Sequence, residues 1–330
     1  MTKETKDSLV KGTLILTVAA LVARFLGVFQ RIPLVHLLGD AGNGSYSIAF
    51  SLYSALLVIA TAGIPSALSK MISEKNALGR QAEAARIYKA AIWFAIGAGL
   101  FMTLLLYIGA PLYAETISHG GPDATLATRA IAPAMLMFPL IAIMRGYFQG
   151  RQNMMPNGIS QVVEQIFRLI TSIVLAYFLL KVSLGWAVAG ASFGGVAGGA
   201  AALVVMIYFT VKLKKRDAAA SKLAREQTAA AQSGPASTGA MPRYRDIYRG
   251  LFKLSIPIVV FSMMVPLVYL IDTSIITPLL EGAIGHKEAL GLVGIMGARA
   301  QSLAGIPIIL AIALSQSVVP IISAAYSKRI

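Results

Sequence analysis

Several charged and amide side chains interrupt long runs of apolar residues, and these side chains have the greatest capacity for chemistry in the sequence. A charged group at bilayer depth costs roughly 2.5–3.5 kcal/mol on insertion scales, so it normally faces a bundle interior or a water-filled cavity. Such residues are the first candidates for a substrate or ion site. They are Arg24, Arg31, Arg145, Glu164, Gln165, Arg168, Asp272, Arg299 and Gln301.

The arginines differ in what surrounds them along the chain. Arg24 and Arg299 have no neighbouring residue of opposite charge at helical spacing, so we favour a functional role for them over a packing role. Arg145 lies close to the end of its apolar run, where a long side chain can extend into the headgroup region. Anchoring in the headgroup region therefore explains Arg145 as well as a role in transport does.

The two carboxylates within apolar runs allow more than one interpretation. Glu164 and Arg168 are four residues apart and can pair on one helix face, either as a packing contact or as part of a transport site. Asp272 is the only carboxylate deep in its run. It can bind a coupling cation or serve as the counter-ion of an arginine.

The composition is that of a membrane protein. Of its 330 residues 57% are hydrophobic, and the mean hydropathy is +0.72. The absence of cysteine excludes disulfides and thiolate metal sites. The three histidines have no spacing suited to a metal, and there is no phosphate-binding loop or nucleophile motif. We therefore expect neither an enzyme nor a cofactor, although coupling to Na⁺, H⁺ or the membrane potential is compatible with the sequence.

Eight apolar runs are long enough to cross a bilayer as helices, which requires about 20 residues each. Lysine and arginine are concentrated in every second connection, so the positive-inside rule places the N-terminus and residue 330 in the cytoplasm. The predicted fold class is all-α, a polytopic helical bundle. The predicted spans are 10–38, 45–69, 88–113, 126–148, 159–180, 184–212, 252–278 and 290–326.

Two features organise the second half of the chain. Gly190, Gly194 and Gly198 recur every four residues in the sixth span, a spacing that predicts close packing on a neighbouring helix. The basic segment 214–249 contains an Ala/Gln/Ser/Gly/Pro stretch typical of a flexible linker. Its charges either contact anionic lipid headgroups or only set the topology. Nucleic acid is not expected as a partner, because no fold surrounds these charges.

The junction of spans four and five carries a recognisable motif. Residues 145–168 read RGYFQGRQNMMPNGISQVVEQIFR, which includes Gln161, and residues 24–27 and 61–65 read RFLG and TAGIP. Together these motifs resemble the polysaccharide-biosynthesis and stage V sporulation protein B branch of the multidrug/oligosaccharidyl-lipid/polysaccharide (MOP) flippase superfamily. The chain is similar to lipid II flippases of the MurJ type, but Gln30-Arg31 stands where the Gram-negative pattern has an Arg-Asp pair.

The resemblance implies a function and a division into domains. Family members move lipid-linked precursors across the bacterial cytoplasmic membrane through a cationic cavity between two lobes. The resemblance implies that Arg24, Arg31 and Arg299 bind the diphosphate, with Arg145, Arg168, Gln161 and Gln301 in supporting roles. It also implies a first lobe at 1–213, a cytoplasmic linker at 214–249 and the first two helices of an incomplete second lobe at 250–330. We expect the full-length protein to act as a monomer.

Two other functions remain open at this point. A cation-coupled multidrug exporter of the same superfamily would use Asp272 or Glu164, but the deep residues are mainly arginines. A membrane scaffold for envelope or spore assembly would require no transport at all.

Overall fold

The computed structural model describes residues 3–228 and 243–300, with side chains described in 14–219 and 243–300. All regular elements in these ranges are helical, so the predicted all-α class is confirmed. The helices are α1 (Lys3–Thr61), α2 (Ile64–Ala77), α3 (Gln81–Pro111), α4 (Gly121–Ile131), α5 (Ala134–Gly150), α6 (Met155–Leu179), α7 (Leu184–Thr228), α8 (Tyr244–Ile284) and α9 (His286–Gly294), with π-helical turns at Leu112–Ile117 and Ile295–Ala300.

Six helical stretches in the described part of the chain are long and apolar enough to cross a membrane. The first of them, Leu14–Ala77, contains most of the first predicted span and all of the second. The predicted eighth span, 290–326, lies mostly outside the described residues, so the total of eight stays a prediction. A polytopic membrane protein is confirmed.

The first helix is a hairpin that folds back at Gly39. A straight helix would separate residues 24 and 53 by about 43 Å at a rise of 1.5 Å per residue. Arg24 and Tyr53 nevertheless line the same cavity. The backbone of Gly39 (φ 64°, ψ −175°) is not helical, and the chain reverses there. We call the two arms α1a (residues 3–38) and α1b (residues 40–61).

Replacing Gly39 with alanine should lower the free energy of unfolding by about 1–3 kcal/mol, because this backbone region is nearly exclusive to glycine. An added Cβ at Gly39 meets no atom within 4 Å, so the cost is conformational rather than steric. Thermal unfolding in detergent measures the effect. Gly97→Ala is the matched control, since Gly97 lies in α3 with the same free space and an ordinary helical backbone. Equal melting temperatures for the two variants would contradict the prediction.

The glycines of α7 allow it to pack closely on α6. A Cβ on Gly198 would lie 2.6 Å from the carbonyl oxygen of Glu164, and one on Gly194 would overlap Ser172 Oγ. A side chain on Gly190 would collide with α6 in the same way. The predicted close packing is confirmed, and it holds α6 in position against the rest of the bundle.

The start of the predicted flexible linker is helical instead. α7 continues to Thr228, past the predicted end of the sixth span at 212. Residues 217–228 are rich in alanine and other strong helix formers, whereas the turn-forming residues begin only in 229–242, outside the described residues. Arg151 donates to both carboxylate oxygens of Asp217 at 2.6 and 2.9 Å. This bidentate pair attaches the extension to the turn between α5 and α6.

Helix α8 runs antiparallel to α1b. Thr273 Oγ1 donates to Ser51 Oγ at 2.8 Å, and at the other end Gly63 lies against the Ser255 backbone. The opposite side of α8 is apolar and exposed, as shown by Phe261 at 78% exposure. Such a surface is compatible with lipid or with further helices. The division of the chain into lobes at 213 and 250 stays a prediction.

Candidate functional site

A cavity of about 480 Å³ lies between α1a, α1b, α6 and α7, with contributions from α8 and the π-helical turn after α9. We refer to it as the central cavity. Its volume falls in the range of about 300–1,000 Å³ that is usual for small-molecule sites. Its polar and aromatic lining residues are Arg24, Gln30, Arg31, Asn43, Tyr46, Ser47, Phe50, Tyr53, Gln165, Arg168, Ser172, Ser192 and Tyr269.

Helical periodicity and the hairpin together assemble this lining. Arg24 and Arg31 are seven residues apart, or about two turns, and so share one face of α1a. Gln165 and Arg168 share a face of α6 in the same way. The reversal at Gly39 brings α1b against the lining faces of α1a and α6, and these three helices enclose the cavity together with α7.

The charged side chains among the described lining residues are three arginines, with no carboxylate. Arg24 is exposed to the cavity, and none of the described residues hydrogen-bonds to or pairs with its guanidinium group. Arg31 Nη1 donates to the carbonyl oxygen of Gly297 at 2.6 Å. The third arginine, Arg168, lines the cavity and also forms a buried ion pair with Glu164. The described lining is therefore cationic.

Glu164 lies behind the cavity wall and holds two arginines. Its carboxylate accepts hydrogen bonds from Arg168 at 2.8 Å and from Arg145 at 2.9 Å, and its side chain is only 9% exposed. Arg145 also donates to Ser160 Oγ at 2.9 Å. The predicted pairing of Glu164 with Arg168 is confirmed, and Arg145 adds an α5–α6 link to it. With two guanidinium groups and one carboxylate, this cluster has a formal charge of +1.

Arg299 and Asp272, like Glu164 and Arg145, do not line the cavity. Arg299 Nη2 donates to Asp40 Oδ1 at 2.6 Å, next to the Gly39 turn, and both side chains are about half exposed. Asp272 is exposed on α8. The adjacent Thr273 contacts α1b. Because successive residues of an α-helix are about 100° apart around its axis, the Asp272 side chain is directed away from that contact. Their roles in binding and ion coupling stay predictions.

Of the two predicted supporting glutamines, Gln161 and Gln301, the structure describes only Gln161. Gln161 is half-buried on α6, one turn before Gln165, and is not part of the cavity lining. Gln301 lies outside the described residues. Gln165, in contrast, lines the cavity opposite Gly27 of α1a.

Sequence reasoning did not identify several of the lining residues. Gln30 Nε2 donates to Ser172 Oγ at 2.9 Å, and Ser172 donates to the carbonyl oxygen of Ala191, so the two bonds join α1a, α6 and α7. An amide inside an apolar span was an available signal for Gln30. Tyr46 and Tyr53 gave no signal, because nothing in their local sequence distinguishes a cavity wall from a packed core.

The arrangement is suited to binding an anion. A guanidinium group forms charge-assisted, often bidentate hydrogen bonds with phosphate oxygens. Arg24 has its hydrogen-bonding capacity available, whereas Arg168 already donates to Glu164. An organic cation would find no carboxylate among the described lining residues.

The fold and this cavity define a class of membrane protein. An inward-facing multidrug resistance MATE family transporter of the MOP superfamily is similar to the chain with a TM-score of 0.60, covering 92% of this chain and 67% of that one. The sequence identity is 13%, so the likeness concerns the fold alone. The predicted MOP-like fold is confirmed.

The chain belongs to the polysaccharide biosynthesis protein family, which matches residues 9–325. It is 31% identical to lipid II flippase MurJ of Bacillus subtilis (strain 168), over 98% of this chain and 59% of that protein. It is 32% identical to stage V sporulation protein B of the same bacterium, over 64% of this chain and 41% of that protein. The chain thus spans three-fifths or less of the length of these relatives. The predicted family is confirmed.

Proposed function

We propose that the protein moves a diphosphate-linked lipid precursor of the cell envelope across the bacterial cytoplasmic membrane. The observation that carries the proposal is the central cavity. Among the described residues Arg24 is unpaired, and the charged lining residues are all arginines. The name of one relative, lipid II flippase MurJ, supports a lipid-linked substrate. Lipid II or a related lipid-linked oligosaccharide is the substrate we favour.

The proposed mechanism is alternating access around the cavity, with the N-terminus and residue 330 in the cytoplasm. Arg24 and Arg31 would hold the diphosphate, and the positive cavity would compensate its charge during the crossing. Moving an uncompensated charge across the membrane is worth about 2.3 kcal/mol per 100 mV, so compensation by arginine or by a coupled cation influences the direction of transport. The protein would act as a monomer at full length.

Arg24→Ala should reduce binding of the precursor about ten- to a hundredfold, because a hydrogen bond to a charged group contributes about 1.5–3 kcal/mol. Arg24→Lys should retain part of the affinity, since the charge remains but the bidentate geometry is lost. The measurements are the affinity of the full protein for fluorescent lipid II and the translocation of that lipid in vesicles that contain the protein. Arg129→Ala is the matched control, because Arg129 stacks on Tyr107 and does not line the cavity.

Other outcomes of the same assay would overturn the proposal. Unchanged translocation in Arg24→Ala would exclude the arginine mechanism. Efflux of an organic cation that depends on Asp272 or Glu164 would favour a cation-coupled exporter. Absence of both activities, with envelope proteins co-purifying, would favour the scaffold.

A further inference from the structure

One wall of the central cavity, on α1b, is aromatic. Tyr46, Phe50 and Tyr53 follow one another along α1b at helical spacing, and all three line the cavity. The rings of Tyr46 and Phe50 are nearly parallel, with an interplanar angle of 8° and centroids 6.0 Å apart. Phe50 continues this contact to Tyr53, with centroids 5.9 Å apart. We refer to these three side chains as the aromatic wall.

Several neutral polar groups in the cavity have unused hydrogen-bonding capacity. The Tyr53 hydroxyl is buried without a partner, and Tyr53 as a whole is only 2% exposed. The Tyr46 hydroxyl and the Gln165 amide likewise have no hydrogen bond to any described residue. Tyr46 and Gln165 are half-buried. Buried polar groups are normally hydrogen-bonded, and an unsatisfied one such as the Tyr53 hydroxyl costs roughly 1–3 kcal/mol. A ligand that supplies both donors and acceptors would remove this cost.

A sugar ring has the chemistry that these groups require. Its hydroxyl and acetamido groups both donate and accept, as the tyrosine hydroxyls and the Gln165 amide do. Its C–H faces are apolar and can lie against aromatic rings. A diphosphate alone offers only acceptors and would leave the aromatic wall without a partner. The guanidinium groups and the aromatic wall therefore suit two different parts of one molecule.

We propose that the aromatic wall, with Gln165, is a sugar subsite that selects precursors carrying a glycan over the bare lipid diphosphate. This inference rests on the proposed function, because Arg24 and Arg31 hold the diphosphate to which the sugar is attached. Tyr46, Phe50, Tyr53 and Gln165 are specificity-determining residues in this arrangement. The arginines supply affinity common to all lipid diphosphates, and the aromatic wall supplies the discrimination between them.

The test compares two probes with the full protein in detergent: undecaprenyl diphosphate and undecaprenyl-diphosphoryl N-acetylglucosamine. Tyr46→Phe and Tyr53→Phe each remove one hydroxyl while retaining the ring. Each should weaken binding of the sugar-bearing probe roughly three- to tenfold, the usual effect of one neutral hydrogen bond. Binding of undecaprenyl diphosphate should not change. Tyr208→Phe is the matched control, because Tyr208 is 61% exposed on α7 and does not line the cavity.

The two proposals fail in different ways in this experiment. Wild-type protein that binds both probes equally, with no effect of Tyr46→Phe or Tyr53→Phe, would overturn the sugar subsite and leave the diphosphate site intact. Equal weakening of both probes by these variants would also overturn it, because the hydroxyls would then serve the diphosphate. Failure of wild-type protein to bind either probe would overturn the proposed function itself, and the sugar subsite with it.

Discussion

Glu164→Gln is expected to lower the free energy of unfolding by about 3–5 kcal/mol, which is the usual cost of removing one partner from a buried ion pair. Glu164 is the shared acceptor of Arg145 and Arg168, whose side chains are only 18% and 20% exposed. Without the carboxylate, two guanidinium groups remain close together in a poorly hydrated region. Unfolding of the protein in mixed micelles with increasing denaturing detergent measures the loss.

Glu74→Gln is the control for this variant. Glu74 lies 4.0 Å from Lys70 on α2, and both side chains are about 60% exposed (59% and 62%). A surface pair of this kind contributes about 0–1 kcal/mol. Equal effects of the two substitutions would contradict the structural role of Glu164. A Glu164→Gln protein that is fully stable but has lost the ion dependence of transport would instead favour the ion-coupling alternative.

Gly44→Val is expected to have an effect of similar size by a different physical route. α1b and α9 approach so closely that a Cβ on Gly44 would overlap the carbonyl oxygen of Leu290, and one on Gly294 would overlap that of Asp40. The atoms in the way are backbone atoms, which cannot move without separating the helices. Overpacking of this kind usually costs about 1–3 kcal/mol, and a β-branched side chain against backbone should reach or exceed the upper end.

The measurement for Gly44→Val is the yield of monodisperse protein together with its melting temperature in detergent. Gly109→Val is the matched control, because a Cβ on Gly109 in α3 meets no atom within 4 Å. We expect Gly109→Val to leave the yield and the melting temperature nearly unchanged. A Gly44→Val protein as stable as Gly109→Val would show that α9 does not pack on α1b in this manner.

The cavity itself was only partly predictable. Arg24 and Arg31 were identified because a charge within an apolar membrane span is energetically costly and usually serves a function. Their seven-residue spacing implies a common helix face. Tyr46 and Tyr53 were not identified, because nothing in their local sequence distinguishes a cavity wall from a packed core. Arg299 was predicted to join the cavity but pairs with Asp40, 259 residues away in the chain. Its partner belongs to a turn that no local pattern reveals.

The sequence by itself determined the membrane class, the approximate positions of the long apolar stretches, the family, and the charged side chains at bilayer depth that need a role. These properties follow from composition and helical period, which are local. The tertiary structure decided which faces meet: the reversal at Gly39, the sharing of Glu164 by two arginines, and the aromatic wall that lines the same cavity as Arg24. Periodicity tells which residues share a face of a helix. It does not tell which neighbouring helix that face contacts, because that depends on packing between residues far apart in the chain.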